Sequence, residues 1–263
     1  MKSSRRRFIK MAGIAALGLG AQPAIKAVAP AAEQGSQTQF SQGPNVLTAR
    51  QWAMVIDTRR FKTTEDLEPM IEACHKLHNV PHFEEKNHEI KWIWETHFHN
   101  AFPDSANRFI SEEAEQRPYL VLCNHCQNPP CVRACPTKAT FKRASDGVVM
   151  MDMHRCIGCR FCMAACPYGS RSFNFVEPLK GLVEKEINLK YPRRMKGVVE
   201  KCTFCVERLA EGQMPACVEA SGGAIVFGDL EDPESEVRQV LRENFTIRRK
   251  QSLGTEPCVY YIV

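Results

Sequence analysis

The sequence predicts an α+β fold in which one small unit is inserted into a second unit of similar design. Three observations support this prediction: short apolar segments typical of strands, short helical segments between them, and a cysteine-rich run that occurs twice within residues 118–175. The flanking residues 48–117 and 176–235 then form the outer unit. Residues 236–263 are predicted to be the end of a C-terminal helix and a tail.

Several elements follow from local patterns. They are a strand at Trp52–Asp57, a helix over residues 65–78, a hairpin made by Thr140–Lys142 and residues 148–151, and a helix that starts at residues 232–234 and extends to about Glu243. The hairpin is indicated by Asp146-Gly147, a common turn pair. Residues 83–117 and 176–200 are predicted to be excursions between the units, and therefore docking surfaces.

The charge is distributed unevenly along the chain of 263 residues, whose formal net charge is +5. Of its 35 basic residues, six lie within residues 1–31, where there is no acidic residue. The rest of the chain therefore carries 29 basic against 30 acidic residues. This near balance argues against a nucleic-acid partner, which would need a concentrated positive surface.

The N-terminus has the pattern of an export signal. Residues 4–10 include four basic residues, residues 11–21 are apolar, and small residues follow at 27–32. Arg5 and Arg6, followed by Phe8, resemble a twin-arginine signal. We expect a signal peptide at residues 1–31, a linker at 32–47, and a periplasmic protein on the outer face of the cytoplasmic membrane. A disordered basic tail is the alternative.

Two cysteine runs carry the strongest signal. They read Cys123-x2-Cys126-x4-Cys131-x3-Cys135-Pro136 and Cys156-x2-Cys159-x2-Cys162-x3-Cys166-Pro167. The second matches the run of bacterial ferredoxins, and the first differs by two inserted residues. Three close thiolates of such a run bind one [4Fe–4S] cluster, and the fourth binds the neighbouring cluster. The inner unit therefore resembles a two-cluster ferredoxin of the βαββαβ type, with these ligands: Cys123, Cys126, Cys131 and Cys166 at cluster 1, and Cys156, Cys159, Cys162 and Cys135 at cluster 2.

Other uses of these cysteines have weaker support. Zinc ribbons contain Cys-x2-Cys pairs but need neither the third cysteine nor the x3-Cys-Pro ending. Covalent haem requires Cys-x-x-Cys-His, and no pair here is followed by histidine. Disulfide scaffolds are typical of much smaller exported chains. Zinc and disulfides remain the alternatives to clusters.

The remaining cysteines do not form a complete run. Three of them make a trio in which Ser221 stands where a fourth would be expected: Cys202, Cys205 and Cys217. By itself the trio is compatible with zinc, a three-iron cluster or an incomplete four-iron cluster. Cys74 and Cys258 lie outside all runs. A third cubane would need one more ligand from elsewhere in the chain.

Five segments resemble a known family of iron–sulfur subunits, those of the dimethyl-sulfoxide-reductase, polysulfide-reductase and formate-dependent nitrite-reductase type. The segments are residues 54–60, 123–131, 156–162, 202–205 and 225–229. The resemblance covers about residues 48–235. It implies two nested ferredoxin-like units, with the outer one now holding a single cluster.

In that family four cysteine motifs pair first with fourth and second with third. The first motif would lie within residues 61–74, where only Cys74 remains, beside Phe61, Thr64, Leu67 and Met70. The pairing implies that one cluster has been lost with all its ligands, and that Cys74 completes cluster 3 with Cys202, Cys205 and Cys217. A buried helical cysteine is the alternative for Cys74. Cys258 is predicted to pack in the apolar tail.

The resemblance also implies partners and a role. Family members connect a quinone-reactive integral membrane subunit, of the NrfD/PsrC type, with another redox partner, for which a multihaem cytochrome c is a candidate. The expected role is a non-catalytic electron relay that is associated with the membrane through its partner. The C-terminal residues further resemble iron–sulfur subunits of complexes linked to dissimilatory sulfite reduction. Alternatives are a subunit of a polysulfide-, nitrite- or Hmc-type complex, a reductase that itself binds a sulfur substrate, or a structural zinc protein.

Six of the eight histidines lie between His75 and His99. They show no ligand spacing, so we interpret them as surface or interface residues and not as a haem or metal site. His125, inside the first run, is predicted to tune its cluster through hydrogen bonding or charge. The basic segment 193–196 is interpreted as a solvated loop, with a partner contact as the alternative.

Overall fold

The strands and helices are described in a computed structural model, which covers residues 43–183, 187–192 and 194–263. The predicted signal peptide, residues 32–42 of the linker and residue 193 of the basic segment lie outside the described residues. The described strands are β1 (Trp52–Asp57), β2 (Ile93–Thr96), β3 (Tyr119–Leu122), β4 (Thr140–Lys142), β5 (Val149–Met151), β6 (Ser172–Phe173), β7 (Val199–Glu200), β8 (Ile225–Asp229), β9 (Thr246–Ile247) and β10 (Val259–Ile262).

The α-helices are short, and several of them carry cysteines. Those described are α1 (Glu68–Leu77), α2 (Phe98–Ala101), α3 (Glu112–Gln116), α4 (Pro130–Arg133), α5 (Phe161–Ala165), α6 (Val206–Ala210), α7 (Ala216–Ala220) and α8 (Glu236–Glu243). None of the helices in the described part of the chain has both the length and the apolar character needed to span a bilayer.

The largest sheet has the strand order β8-β1-β10-β9. Strand β1 pairs antiparallel with β8 and parallel with β10. Its side chains alternate between two cores: Trp52, Met54 and Ile56 belong to the main core, whereas Ala53 and Val55 pack in a smaller core beneath α8. Because both faces of β1 are covered, the strand is almost continuously apolar.

The predicted strand at Trp52–Asp57 and the predicted hairpin are confirmed, since β4 and β5 pair antiparallel. The first helix is shorter than predicted. Residues Thr64–Asp66 form a separate 3-10 turn, and α1 begins at Glu68, with Pro69 in its first turn. Helix α8 begins later than predicted, because Ser235 is its N-cap and accepts a hydrogen bond from Arg238 N at 3.4 Å.

The C-terminal residues differ from the predicted tail. Strand β10 lies inside the largest sheet, between β1 and β9. Val259 and Tyr261 are buried in the main core, and Cys258 and Ile262 in the smaller one. The apolar ending is therefore a structural strand, because its two faces fill both cores.

Three two-stranded ribbons accompany the cysteine runs: β2-β3, β4-β5 and β6-β7. The ribbon β6-β7 joins the inner run to residues that precede the trio, since Ser172 pairs with Glu200. The result is a small mixed α/β fold. The nesting of two ferredoxin-like units remains a prediction.

Candidate metal centres

Four cysteines of the two runs line one cavity, which we call quartet 1: Cys123, Cys126, Cys131 and Cys166. Cys123 directly follows strand β3, Cys131 lies on α4, and Cys166 ends α5. Burial, and then the nearby Cys123 thiol, raise the pKa of the Cys126 thiol. The cavity therefore brings together the four residues that the sequence predicts for cluster 1.

A second cavity is lined by Cys135, Cys156, Cys159 and Cys162, which we call quartet 2. Three of these thiols are partly exposed, and only Cys162 is buried. Burial alone would raise the pKa of the Cys135 thiol, but hydrogen bonds from Thr140 N, at 3.4 Å, and from Thr137 hold that pKa below its usual value. Such donors favour the thiolate, which is the form that binds iron.

The trio and Cys74 also lie together, as quartet 3. Helix α1, which carries Cys74, packs against α7, which carries Cys217. Burial raises the pKa of the Cys74 thiol, and the nearby Cys205, Cys202 and Cys217 raise it further. Cys258 is different: it lies in the smaller core, and its thiol is within 3.4 Å of Gln51 Nε2.

The first Cys-x2-Cys turn of each of the three cysteine motifs has the same backbone feature. The residue before the second cysteine has a positive φ in each: +41° at His125, +68° at Gly158 and +57° at Phe204. This conformation turns successive backbone N–H groups toward the same side, as in the concave anion sites of many iron–sulfur proteins. In the third turn Phe204 N lies 3.4 Å from Cys202 Sγ. At Gly158 a side chain would also collide, because a Cβ would lie 2.5 Å from Gly197 O.

The donor sets fit [4Fe–4S] clusters. Each quartet offers four soft sulfur ligands, the set that cubanes require, and all thirteen cysteines are free of disulfides. Buried thiolates so close together would repel one another, and cluster iron offsets that repulsion. When bound, a cluster of this type accepts and returns one electron.

The quartets are arranged in the order 3, 1, 2. The Cys123 thiol of quartet 1 is close enough to Cys202 of quartet 3 to raise the pKa of that thiol, after the larger effect of burial. On the other side, Arg171 contacts Cys131 of quartet 1, with Nη2 3.2 Å from Sγ, and lies beside Cys162 of quartet 2. Quartet 1 is therefore the middle one.

Three of the four residues that the family resemblance places near a lost fourth site are apolar. Phe61, Leu67 and Met70 are buried in the main core, while Thr64 is exposed. The Ser221 hydroxyl donates to Val218 O at 2.7 Å, so it caps the C-terminal end of α7.

Two sequence interpretations are wrong in part. His78 is a buried residue and not a surface one: its Nε2 lies 2.7 Å from Glu207 Oε1 and its ring stacks on Trp92. Arg194 is not solvated but buried, with its Nε 2.8 Å from Glu200 Oε2. Sequence alone offered no sign that either side chain is buried, because both contact distant segments: His78 pairs with Glu207, and Arg194 donates to His78 O and Asn79 O.

His78, Cys205 and Glu207 also place their ligand atoms within 4.8 Å of one another. Histidine, cysteine and carboxylate are ligands that zinc accepts. Cys205 belongs to quartet 3 as well, so the two arrangements compete for the same thiol. The zinc alternative from the sequence therefore has a defined location that can be tested.

His125 is buried, and its ring stacks on Phe204 with the centroids 3.7 Å apart. Burial, and then the nearby Lys201, hold the pKa of His125 well below its usual value. Its Nδ1 accepts a hydrogen bond from Val149 N at 3.1 Å. The residues before the second cysteine in the turns of quartets 1 and 3 are thus in direct contact.

These features define an iron–sulfur electron-transfer protein. Residues 119–185 match the 4Fe-4S dicluster domain family. Over 98% of this chain and 97% of the relative, the sequence is 43% identical to the Hdr-like menaquinol oxidoreductase iron-sulfur subunit 1 of Archaeoglobus fulgidus. It is 35% identical to the iron-sulfur cluster-binding subunit of a menaquinone reductase of Nitratidesulfovibrio vulgaris, over 80% of this chain and 88% of that protein. It is 34% identical to the protein NrfC of Escherichia coli, over 73% of each chain.

The chain belongs to this family of iron–sulfur subunits of oxidoreductase complexes. The family named from the sequence motifs is thereby confirmed. The comparisons do not single out the branch linked to sulfite reduction.

Proposed function

We propose that the protein relays electrons through three [4Fe–4S] clusters, held by quartets 3, 1 and 2 in that order. The observation that carries this proposal is the grouping of twelve of the thirteen cysteines into three sets of four. Each set draws on separate segments of the chain, so each is formed only in the folded protein. Two nested ferredoxin-like units remain our proposal for the underlying architecture.

The relay has no catalytic step of its own. Irons that each carry a cysteine ligand leave no open position for a substrate. The competing proposal is a reductase that binds a sulfur substrate near Ser221, but that hydroxyl is engaged with Val218 O. Turnover of sulfite, polysulfide or nitrite by the isolated chain with a chemical reductant would favour the reductase.

The partners are proposed from the relatives. Two of the relatives are named for menaquinol or menaquinone chemistry. We place a quinone-reactive integral membrane subunit of the NrfD/PsrC type at one end of the relay, and a second redox partner, with a multihaem cytochrome c as the candidate, at the other. We further propose a location in the periplasm after twin-arginine export, and a role in dissimilatory sulfur metabolism as the iron–sulfur subunit (subunit O) of the sulfite-reduction-associated DsrMKJOP complex.

A molybdopterin subunit is not expected among the partners. In the family, the cluster missing here is the one that faces such a subunit. Phe61, Leu67 and Met70 belong to the buried core in this region. Purification of the complex with a stoichiometric molybdopterin protein would contradict this part of the proposal.

The decisive experiment is iron and acid-labile sulfide analysis of anaerobically prepared protein, combined with electron paramagnetic resonance of the reduced state. Three cubanes predict about 12 iron and about 12 sulfide per chain. Content of about 8 would leave only two cubanes and contradict the proposed relay. A colourless protein with zinc in place of iron would establish the structural zinc protein instead.

A further inference from the structure

Two buried cations lie between the cysteine quartets. Lys201 is 1% exposed and Arg171 is 4% exposed. Within the described residues neither side chain forms an ion pair with a carboxylate, whereas another buried cation, Arg194, does so with Glu200. A buried charge is costly unless an opposite charge is near. The thiolates of the neighbouring quartets can supply the countercharge in place of an acidic side chain.

Lys201 lies where quartets 1 and 3 meet. Its Nζ donates to Cys202 O at 2.7 Å, and also to Val149 O. Cys202 is a member of quartet 3, and Val149 lines the cavity of quartet 1. Both partners are carbonyl oxygens, which satisfy the donors of the ammonium but do not neutralise it.

Arg171 lies where quartets 1 and 2 meet. One end of its guanidinium, Nη2, is 3.2 Å from Cys131 Sγ of quartet 1. The other end, Nη1, is 3.1 Å from Thr140 Oγ1, in the wall of the quartet 2 cavity. Thr140 N in turn donates to Cys135 Sγ of quartet 2. One buried positive charge thus contacts a thiol of quartet 1 directly and the cavity wall of quartet 2 through Thr140.

We propose that Lys201 and Arg171 set the reduction potentials of the clusters, each acting on the two clusters beside it. This inference rests on the proposed relay. A cluster bound by four thiolates is anionic, and each electron that it accepts adds negative charge. A buried cation stabilises the reduced form more than the oxidised form, and solvent screens this interaction only weakly. The reduction potential of the middle cluster, which lies between both cations, is therefore raised most.

The test uses the full-length holoprotein, prepared anaerobically. Three midpoint potentials are followed by electron paramagnetic resonance at poised potentials. Lys201→Gln should reduce the equilibrium constant for reduction of two clusters by tenfold or more, which is about 59 mV for one electron. Arg171→Gln should do the same for a different pair, and the two pairs should share one cluster.

Charge-retaining variants separate charge from packing. Lys201→Arg and Arg171→Lys should keep every equilibrium constant within about threefold of the unaltered protein, because one unit of charge at that position remains. Lys62→Gln, which removes an exposed lysine, is the matched control and should shift none of the three midpoint potentials. Iron lost in a glutamine variant but kept in its charge-retaining counterpart would also support the proposal, since a cation is then required to hold the cluster.

Three results would overturn the inference: potentials that do not move in either glutamine variant, equal shifts of all three clusters, or equal iron loss in Lys201→Gln and Lys201→Arg. These outcomes differ from a failure of the relay itself. Fewer than three cluster signals in the unaltered protein would contradict the relay. Three signals with unmoved potentials would contradict only the role of the two cations.

Discussion

Cys74 and Cys258 offer a matched pair of substitutions that tests the assignment of quartet 3. Both thiols are buried, at 4% and 0% exposure. Replacing either by alanine removes one sulfur atom from a packed interior, so the packing cost should be alike, about 1 kcal/mol. The two differ in their neighbours: Cys74 lies among Cys202, Cys205 and Cys217, whereas Cys258 packs in the smaller core.

Cys74→Ala should therefore lower the iron content from about 12 to about 8 per chain, or to about 11 if quartet 3 keeps a three-iron cluster. Loss of bound metal should also lower thermal stability by more than the packing cost, because metal binding contributes to folding. Cys258→Ala should keep about 12 iron. Anaerobic iron analysis and thermal unfolding of both variants decide the matter. Equal iron content in the two variants would refute the assignment of Cys74 as a ligand.

Three further substitutions test other parts of the structure. Glu200→Gln leaves the buried Arg194 without its counter-ion. Denaturant titration of the holoprotein should show a free energy of unfolding lower by about 3–5 kcal/mol, and a loss below about 1 kcal/mol would contradict the buried pair. Ser221→Cys supplies one cysteine at the proposed fourth site and should leave the iron content unchanged, because residues 61–73 contain no further cysteine and Phe61, Leu67 and Met70 are buried in the main core. A gain of about 4 iron would show that the site can still form. Gly158→Ala adds a Cβ 2.5 Å from Gly197 O at a residue with a positive φ. It should lower the free energy of unfolding by about 1–3 kcal/mol and weaken iron binding by quartet 2, whereas unchanged iron content and stability would contradict the tight turn.

Local patterns were sufficient for the elements whose signals lie in neighbouring residues. Strand β1, the β4-β5 hairpin and the two cysteine runs are each specified by a few consecutive side chains. Helix ends were less accurate. A 3-10 turn at Thr64–Asp66 and the cap at Ser235 depend on local capping hydrogen bonds, which hydrophobic periodicity does not reveal.

Cysteine spacing alone predicted the ligands of quartets 1 and 2, because ferredoxin runs bind clusters through near neighbours in the chain. The place of Cys74 came only from the family resemblance, since it lies 128 residues before Cys202 in the numbering. Nothing in its local sequence separates a ligand from a buried helical cysteine. The packing of α1 against α7 brings it to the trio.

The residue order thus predicts the ligands of quartets 1 and 2, as a pattern of thiols at short spacing. Tertiary structure decides the rest: the order of the quartets, the central position of β10, the burial of His78 and Arg194, and the positions of Lys201 and Arg171 between the cysteine sets. The physical reason is that burial depends on contacts between segments far apart in the chain. Spacing within one segment carries no information about them.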